Sequence, residues 1–222
     1  MRLLFIHGFG ETENIFSQLA PILEGEKVYV NLWDSLGNKR HNEPDLVDFA
    51  RELVQKYAIK KDDIIIGHSL GGWVAYHIKH VNGNKIVQIA SWTSPQKIVS
   101  PLKNKKILLW LVSNGLLFNQ FTKGYLTKGY KTRSSEAVYN EIIDHMIAAD
   151  RTCLTNQLKL VLGRAKETVE VVPDLRIHAK KDKVIRYPDE SFHEVPGDHF
   201  SLHTHPIEVA TPIQKFLSTI ND

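Results

Sequence analysis

The chain is poor in cysteine and in long apolar runs, and both shortages exclude structural classes. Its 222 residues include a single cysteine, Cys153, which cannot form a disulfide within the chain. The longest apolar stretch, residues 107–112 and then 116–118, is far shorter than the ~20 residues of a membrane-spanning helix. We therefore expect no transmembrane segment and no stable membrane insertion. Because residues 1–6 read as a strand and not as a signal peptide, the expected location is cytoplasmic.

The chain also has little excess of charge of either sign. The 28 basic and 25 acidic side chains leave a net charge of +3, too small to predict nucleic-acid binding. Hydrophobic residues make up 42% and charged residues 24%, which are values of ordinary globular proteins and exclude disordered and fibrous classes. No Ser/Gly/Pro-rich linker interrupts the sequence, so residues 1–222 are interpreted as one domain.

Short apolar runs alternate with amphipathic helical patterns along most of the chain. This alternation is typical of an α/β fold in which helices cover both faces of a mostly parallel sheet. Helices are predicted from Thr12 to Gly25, along residues 46–57 and from Pro206 to Ile220. The six strand candidates are residues 3–6, 27–32, 63–66, 85–90, 175–179 and 191–195.

The alternation stops after the fourth strand. Residues 96–170 contain helical patterns and no convincing strand, which predicts an inserted helical lid. Between residues 100 and 135 there are seven basic side chains and no Asp or Glu. Two interpretations stay open: a solvated basic surface over an apolar core, or a docking surface for an acidic partner.

Ser69 lies at the most informative motif of the chain. Gly67-His68-Ser69-Leu70-Gly71 follows three isoleucines and opens an apolar helical pattern. A serine between a buried strand and a helix sits on a sharp, strained turn, and the glycines on either side leave room for close packing. We therefore predict Ser69 as a nucleophile. Cys153 lacks such a turn and is predicted to be a buried structural thiol.

A serine hydroxyl is nearly inert at neutral pH and needs a base and a group that orients the base. His199, in the loop after the last strand, is the preferred base, and Asp182, at the tip of the loop after the fifth strand, is the preferred orienting carboxylate. A metal site built on His199, His203 and His205 is not favoured, since no cysteine accompanies these histidines. The weaker choices for the two roles are His193, His203, His205, Asp174, Asp189 and Asp198.

Two backbone N–H groups are predicted to form an oxyanion hole. His7-Gly8-Phe9-Gly10 follows the first strand, and its glycines would allow the N–H of Phe9 to face the site. The N–H of Leu70, at the start of the helix after Ser69, would be the second donor. Phe9 and Trp92 are also candidates to line a substrate pocket, with core packing as the alternative for Trp92.

The chain resembles the α/β-hydrolase family of serine hydrolases in four motifs and in their order. These are His7-Gly8-Phe9-Gly10, Gly67-His68-Ser69-Leu70-Gly71-Gly72, the Asp182 loop and Gly197-Asp198-His199-Phe200. The resemblance covers residues 3–98 and 173–219 and not the predicted lid. It implies a Ser69 nucleophile, His199 as base and then acid, Asp182 as orienting group, an acyl-enzyme intermediate and no cofactor. The sequence departs from the family in starting at what would be the third strand, which predicts a minimal sheet of about six strands. Ala179 also stands where many relatives have glycine.

Among such hydrolases the chain is similar in scale to small bacterial carboxylesterases, including the pimeloyl-acyl-carrier-protein methyl ester esterases. That similarity implies a small-molecule acyl ester as substrate. It also implies that an acidic acyl carrier protein docks on Lys123, Lys128, Lys131 and Arg133. Three alternatives remain open: an acyl-thioester hydrolase, a poorly catalytic binding protein on the same fold, and an enzyme of anionic lipid surfaces.

Overall fold

A six-stranded sheet forms the centre of the molecule. The computed structural model describes residues 1–37, 45–100, 102–131, 133–163 and 165–221. The strand order is β2-β1-β3-β4-β5-β6 and every neighbouring pair is parallel. The predicted α/β fold class is confirmed, and each predicted strand lies within two residues of an observed one. The strands are β1 (Arg2–Ile6), β2 (Glu26–Val30), β3 (Ile64–His68), β4 (Lys85–Ile89), β5 (Leu175–Ala179) and β6 (His193–Val195).

Both faces of the central strands are covered. Successive side chains of a strand point to opposite faces of the sheet, and all five residues of β3 are buried. Residues 3–6 of β1 are buried in the same way. Such strands read as continuous apolar runs, which is why the sequence located them so closely.

Nine α-helices surround the sheet in the part of the chain that the structure describes, and none has the length and apolar character that a bilayer span requires. Polar side chains begin several of them: Asp45, for example, accepts hydrogen bonds from the N–H groups of Val47 and Asp48 at the start of the second helix. The helices are α1 (Leu32–Leu36), α2 (Leu46–Lys56), α3 (Leu70–Asn82), α4 (Lys105–Ser113), α5 (Gln120–Thr127), α6 (Glu136–Ala148), α7 (Arg151–Leu162), α8 (Ser201–Thr204) and α9 (Pro206–Asn221).

The helix predicted from Thr12 to Gly25 is wrong. Two short 3₁₀ helices, Glu13–Phe16 and Ala20–Ile22, occupy this region. Thr12 does cap the first of them, but Pro21 has no N–H to continue a longer hydrogen-bonded helix.

The second predicted strand was also too long by two residues. Its last residue, Leu32, instead begins α1, because the side chain of Asn31 accepts hydrogen bonds from the N–H groups of Trp33 and Asp34.

Helices predominate in the segment of residues 96–170, whose role as an inserted lid stays a prediction. It contains α4 to α7, and its described residues include no strand. Helix α7 packs against α4 of the same segment and also against α1 and α3, so part of the segment is joined to the sheet domain.

Helix α3 approaches strand β1 so closely at Gly71 that no side chain fits between them. A Cβ atom at residue 71 would lie 1.9 Å from the carbonyl oxygen of Ile6, and a Cβ atom at Gly67 would lie 2.4 Å from the backbone of Gly71. Backbone atoms cannot rotate away as side chains can, so the two glycines are required by this packing.

We expect the substitution Gly71→Ala to lower the free energy of unfolding by about 3 kcal/mol, because overpacking would push α3 away from the sheet. Thermal denaturation should show a drop of roughly 6–12 °C in Tm. Gly124→Ala is the matched control, since a Cβ atom at residue 124 in α5 meets no atom within 4 Å. Equal Tm values for the two variants would contradict the packing argument.

Candidate active site

Ser69 stands between β3 and α3 with a strained backbone. Its φ of 51° and ψ of −118° lie where non-glycine residues are rare. Neighbouring atoms hold it there: the Ser69 N–H donates to the carbonyl of Ile89 at 3.0 Å, and the hydroxyl of Ser91 donates to the Ser69 carbonyl at 2.7 Å. The serine hydroxyl is thereby fixed beyond the carboxyl end of the sheet.

The three side chains predicted to act together form one hydrogen-bonded series. Ser69 Oγ lies 3.1 Å from Nε2 of His199, and Nδ1 of His199 lies 2.9 Å from Oδ2 of Asp182. The other carboxylate oxygen of Asp182 accepts from the N–H groups of Val184 and Ile185 at 2.7 and 2.9 Å. These bonds orient the carboxylate, which leaves Nδ1 of His199 as a donor and Nε2 as the acceptor for the serine proton.

Electrostatics favour a positive charge on His199. Burial alone would lower the pKa of its imidazole, but the negative charge and hydrogen bond of Asp182 outweigh burial and raise the pKa. Burial alone would raise the pKa of Asp182, whereas the charge and hydrogen bond of His199 lower it. An imidazolium formed at this position is therefore stabilised by a carboxylate that stays ionised.

In the described chain, the N–H groups on either side of Phe9 are hydrogen-bonded, whereas the two predicted oxyanion donors are not. The Gly8 N–H donates to Oε2 of Glu11 at 2.6 Å, and the Gly10 N–H donates to Oε1 of Gln157 at 3.0 Å. Within the described chain, the N–H of Phe9 between them and the N–H of Leu70 at the start of α3 have no protein acceptor. A helix start also carries a partial positive charge, which favours an anion beside Leu70.

Sequence analysis missed four residues that hold these loops. Glu11 and His68 bond to each other at 2.9 Å directly behind the serine. Gln157 of α7 and His145 of α6 hold the N–H and the carbonyl of Gly10, the latter through Nδ1 at 2.9 Å. Only His68 had a usable signal, its place inside the serine motif.

Comparison with known proteins agrees with this geometry. A family model described as "Alpha/beta hydrolase family" matches residues 3–211. The chain belongs to the α/β-hydrolase family. No curated protein matches it in sequence.

Three solved structures illustrate the shared α/β-hydrolase fold. A thermophilic esterase from Thermogutta terrifontis is 14% identical, with a TM-score of 0.72 and coverage of 100% of this chain and 91% of the other. A bromoperoxidase from Bacillus anthracis is 17% identical, with a TM-score of 0.70 and coverage of 98% and 91%. An enol-lactonase from Burkholderia xenovorans LB400 is 12% identical, with a TM-score of 0.69 and coverage of 98% and 91%.

The three aspartates that were weaker choices for the orienting carboxylate are bonded to groups other than His199. Asp198 accepts from the hydroxyl of Ser135 at 2.6 Å, Asp174 accepts from the N–H of Ile86 at 2.9 Å and also pairs with Lys79, and Asp189 pairs with Lys97. Among the residues that the structure describes, no group of three or more His, Cys, Asp or Glu side chains is arranged to hold a metal ion.

Trp92 and Cys153 have the surroundings of core residues, and Phe9 is only partly buried. Trp92 is 2% exposed, and its ring centroid lies 6.1 Å from that of Trp73 in α3, which is the alternative that the sequence left open. Burial raises the pKa of the Cys153 thiol to about 11, so the thiol stays protonated and unreactive. Phe9 is half-buried, and its ring lies 6.2 Å from that of Phe118, between α4 and α5.

Titration of His199 provides a test of this geometry that requires no substrate. We expect the pKa of His199 to lie above the ordinary 6.5, and the pKa to fall when Asp182→Asn removes the negative charge. NMR of the imidazole Cε1–H resonances against pH measures both values, with His199→Ala to assign the signal. An unchanged pKa in Asp182→Asn would mean that the two groups do not interact in solution.

Proposed function

We propose that the protein is a serine hydrolase that cleaves carboxylic esters through an acyl-enzyme intermediate. The observation that carries the proposal is the hydrogen-bonded series from Asp182 through His199 to Ser69, together with the N–H groups of Phe9 and Leu70, which have no acceptor among the described residues. Such a series supplies a nucleophile, a base and an orienting group, and the two N–H groups supply the place for an oxyanion.

In the first half of the reaction, Ser69 Oγ attacks the ester carbonyl carbon while Nε2 of His199 takes the hydroxyl proton. The carbonyl oxygen becomes an oxyanion that accepts hydrogen bonds from the N–H groups of Phe9 and Leu70. The tetrahedral intermediate collapses when its bond to the alcohol oxygen breaks and His199 returns the proton to that oxygen. Asp182 stabilises the imidazolium throughout.

In the second half, water repeats the attack on the acyl-enzyme. His199 takes one proton from water, the oxyanion forms at the same two N–H groups, and the proton returns to Ser69 Oγ as the acid leaves. The mechanism requires acid-base groups and hydrogen-bond donors of the chain alone, and no cofactor. The similar structures named as an esterase and an enol-lactonase support an ester as the substrate class.

A panel of p-nitrophenyl esters and acyl thioesters of graded chain length tests the proposal. We expect cleavage of short to medium acyl esters, and a loss of roughly 10⁴-fold or more in kcat for Ser69→Ala, because the nucleophile is removed. A fluorophosphonate probe should label the native protein and not the alanine variant. A native protein that neither labels nor turns over would instead be a binding protein on this fold.

A basic surface favours a second, narrower proposal, that the acyl group arrives on an acidic carrier protein. Phe121 and Tyr125 of α5 are 99% and 82% exposed, and Lys128 and Lys131, which follow α5 in the sequence, are exposed as well. A surface segment that combines exposed aromatic rings with positive charge suits an acidic partner. Lys123, which is also part of that prediction, pairs with Asp144, and Arg133 lies 3.6 Å from Asp198 in the histidine loop.

The carrier proposal is tested by reversing charge at Lys128 and Lys131 and leaving Arg133, whose loss would disturb the loop of His199. We expect the double variant Lys128→Glu/Lys131→Glu to lower kcat/KM at least tenfold for an acyl-carrier-protein ester and to leave a p-nitrophenyl ester unaffected. The matched control is Lys61→Glu/Lys215→Glu, which reverses two exposed lysines elsewhere. Equal losses in both double variants, or no loss in either, would count against docking at this surface.

A further inference from the structure

A second ionisable pair lies behind the serine and has no part in the mechanism above. The side chains of Glu11 and His68 are 3% and 0% exposed, and Oε2 of Glu11 lies 2.9 Å from Nδ1 of His68. The rings of His68 and His199 are 4.9 Å apart between centroids. Buried ionisable groups are costly unless they are paired and hydrogen-bonded, so this arrangement requires an explanation.

Hydrogen-bond geometry favours a charged pair. Nδ1 of His68 faces the Glu11 carboxylate, and Nε2 of His68 faces the backbone carbonyl of His199 at 2.9 Å. Both partners are acceptors, so His68 donates from both nitrogens only as an imidazolium. Burial alone would raise the pKa of Glu11, but the charge and hydrogen bond of His68 outweigh it and lower the pKa, which keeps the carboxylate ionised.

The pair joins three separate loops. Oε2 of Glu11 also accepts from the N–H of Gly8, which fixes the loop that carries Phe9. His68 belongs to β3 and directly precedes Ser69. Through Nε2, His68 holds the backbone of His199. The ion pair therefore bonds directly to the backbone of the base, His199. The nucleophile Ser69 is one residue from His68, and the oxyanion donor Phe9 is one residue from Gly8.

We propose that Glu11 and His68 are positioning residues, an ion pair that holds the oxyanion loop, the serine turn and the histidine loop in register for catalysis. This inference rests on the proposed function. Without the carboxylate of Glu11, a buried imidazolium at His68 would lose its paired anion. A neutral His68 can donate to only one of its two acceptors, so either its bond to the histidine loop or its bond to residue 11 is lost.

The variant Glu11→Gln tests the proposal, because it keeps the side-chain shape and removes the charge. We expect kcat for a p-nitrophenyl ester to fall at least tenfold and up to about 100-fold, with KM within twofold, since a small misplacement of reacting groups affects the transition state most. His68→Gln, whose amide cannot donate along both directions of the ring, should give a loss of similar size.

The matched control is Asp63→Asn. Asp63 directly precedes β3, at the amino end of the strand that leads to Ser69 at its carboxyl end. Asp63 is also 3% exposed, and its Oδ2 accepts from Arg2 and from a backbone N–H, both at 2.7 Å. This variant removes the charge of another buried carboxylate, whose partner Arg2 is partly exposed, so we expect a lower Tm and an unchanged kcat. If Glu11→Gln lowers Tm like the control and leaves kcat unchanged, the pair is only structural and the proposal is overturned.

A spectroscopic measurement separates this proposal from the proposed function. ¹⁵N NMR of histidine-labelled protein at pH 7 should show hydrogen on both ring nitrogens of His68, and on only one in Glu11→Gln. One protonated nitrogen in the native protein would overturn the charged pair even if esters are cleaved. If native protein shows the imidazolium but neither turns over esters nor reacts with a fluorophosphonate, the proposed function fails, and the catalytic role of the pair fails with it.

Discussion

The contact between α3 and β1 at Gly71 is the constraint on which the site depends. It allows a helix to start directly against the sheet, so the chain must reverse within one residue, and that residue is Ser69 with its strained φ of 51°. Strain of this kind persists only where surrounding bonds over-determine it. The hydrogen bonds from Ser69 to Ile89 and from Ser91 to Ser69 meet that need, and the same turn places Leu70, a predicted oxyanion donor, at the helix start.

Parallel topology explains why the groups of the site could be predicted from sequence. All six strands end at the same edge of the sheet, so loops after β1, β3, β5 and β6 converge there although up to 190 residues separate them. Apolar runs located the strands, and the residues after them supplied Phe9, Ser69, Asp182 and His199. The Thr12–Gly25 helix failed because periodic apolar residues also suit short 3₁₀ turns, and Pro21 decides between them.

Polar contacts between distant segments left no comparable signal. The bond from Gly10 to Gln157 spans 147 positions, and the bond from Glu11 to His68 spans 57. A glutamate or glutamine has no periodicity to reveal that it is buried, and only the folded chain shows which backbone groups it satisfies. The sequence therefore predicted the groups proposed to react and not the groups that hold them.

The two halves of the segment after β4 differ in how they join the site. Gln157 in α7 and His145 in α6 hold Gly10, and Ser135, directly before α6, holds the Asp198 carboxylate beside His199. Helices α4 and α5 instead present exposed rings, including Trp110 at 57% and Phe121 at 99%. A change in α6 or α7 is transmitted to the oxyanion loop or to the histidine loop. The outer surfaces of α4 and α5 can change without moving either loop.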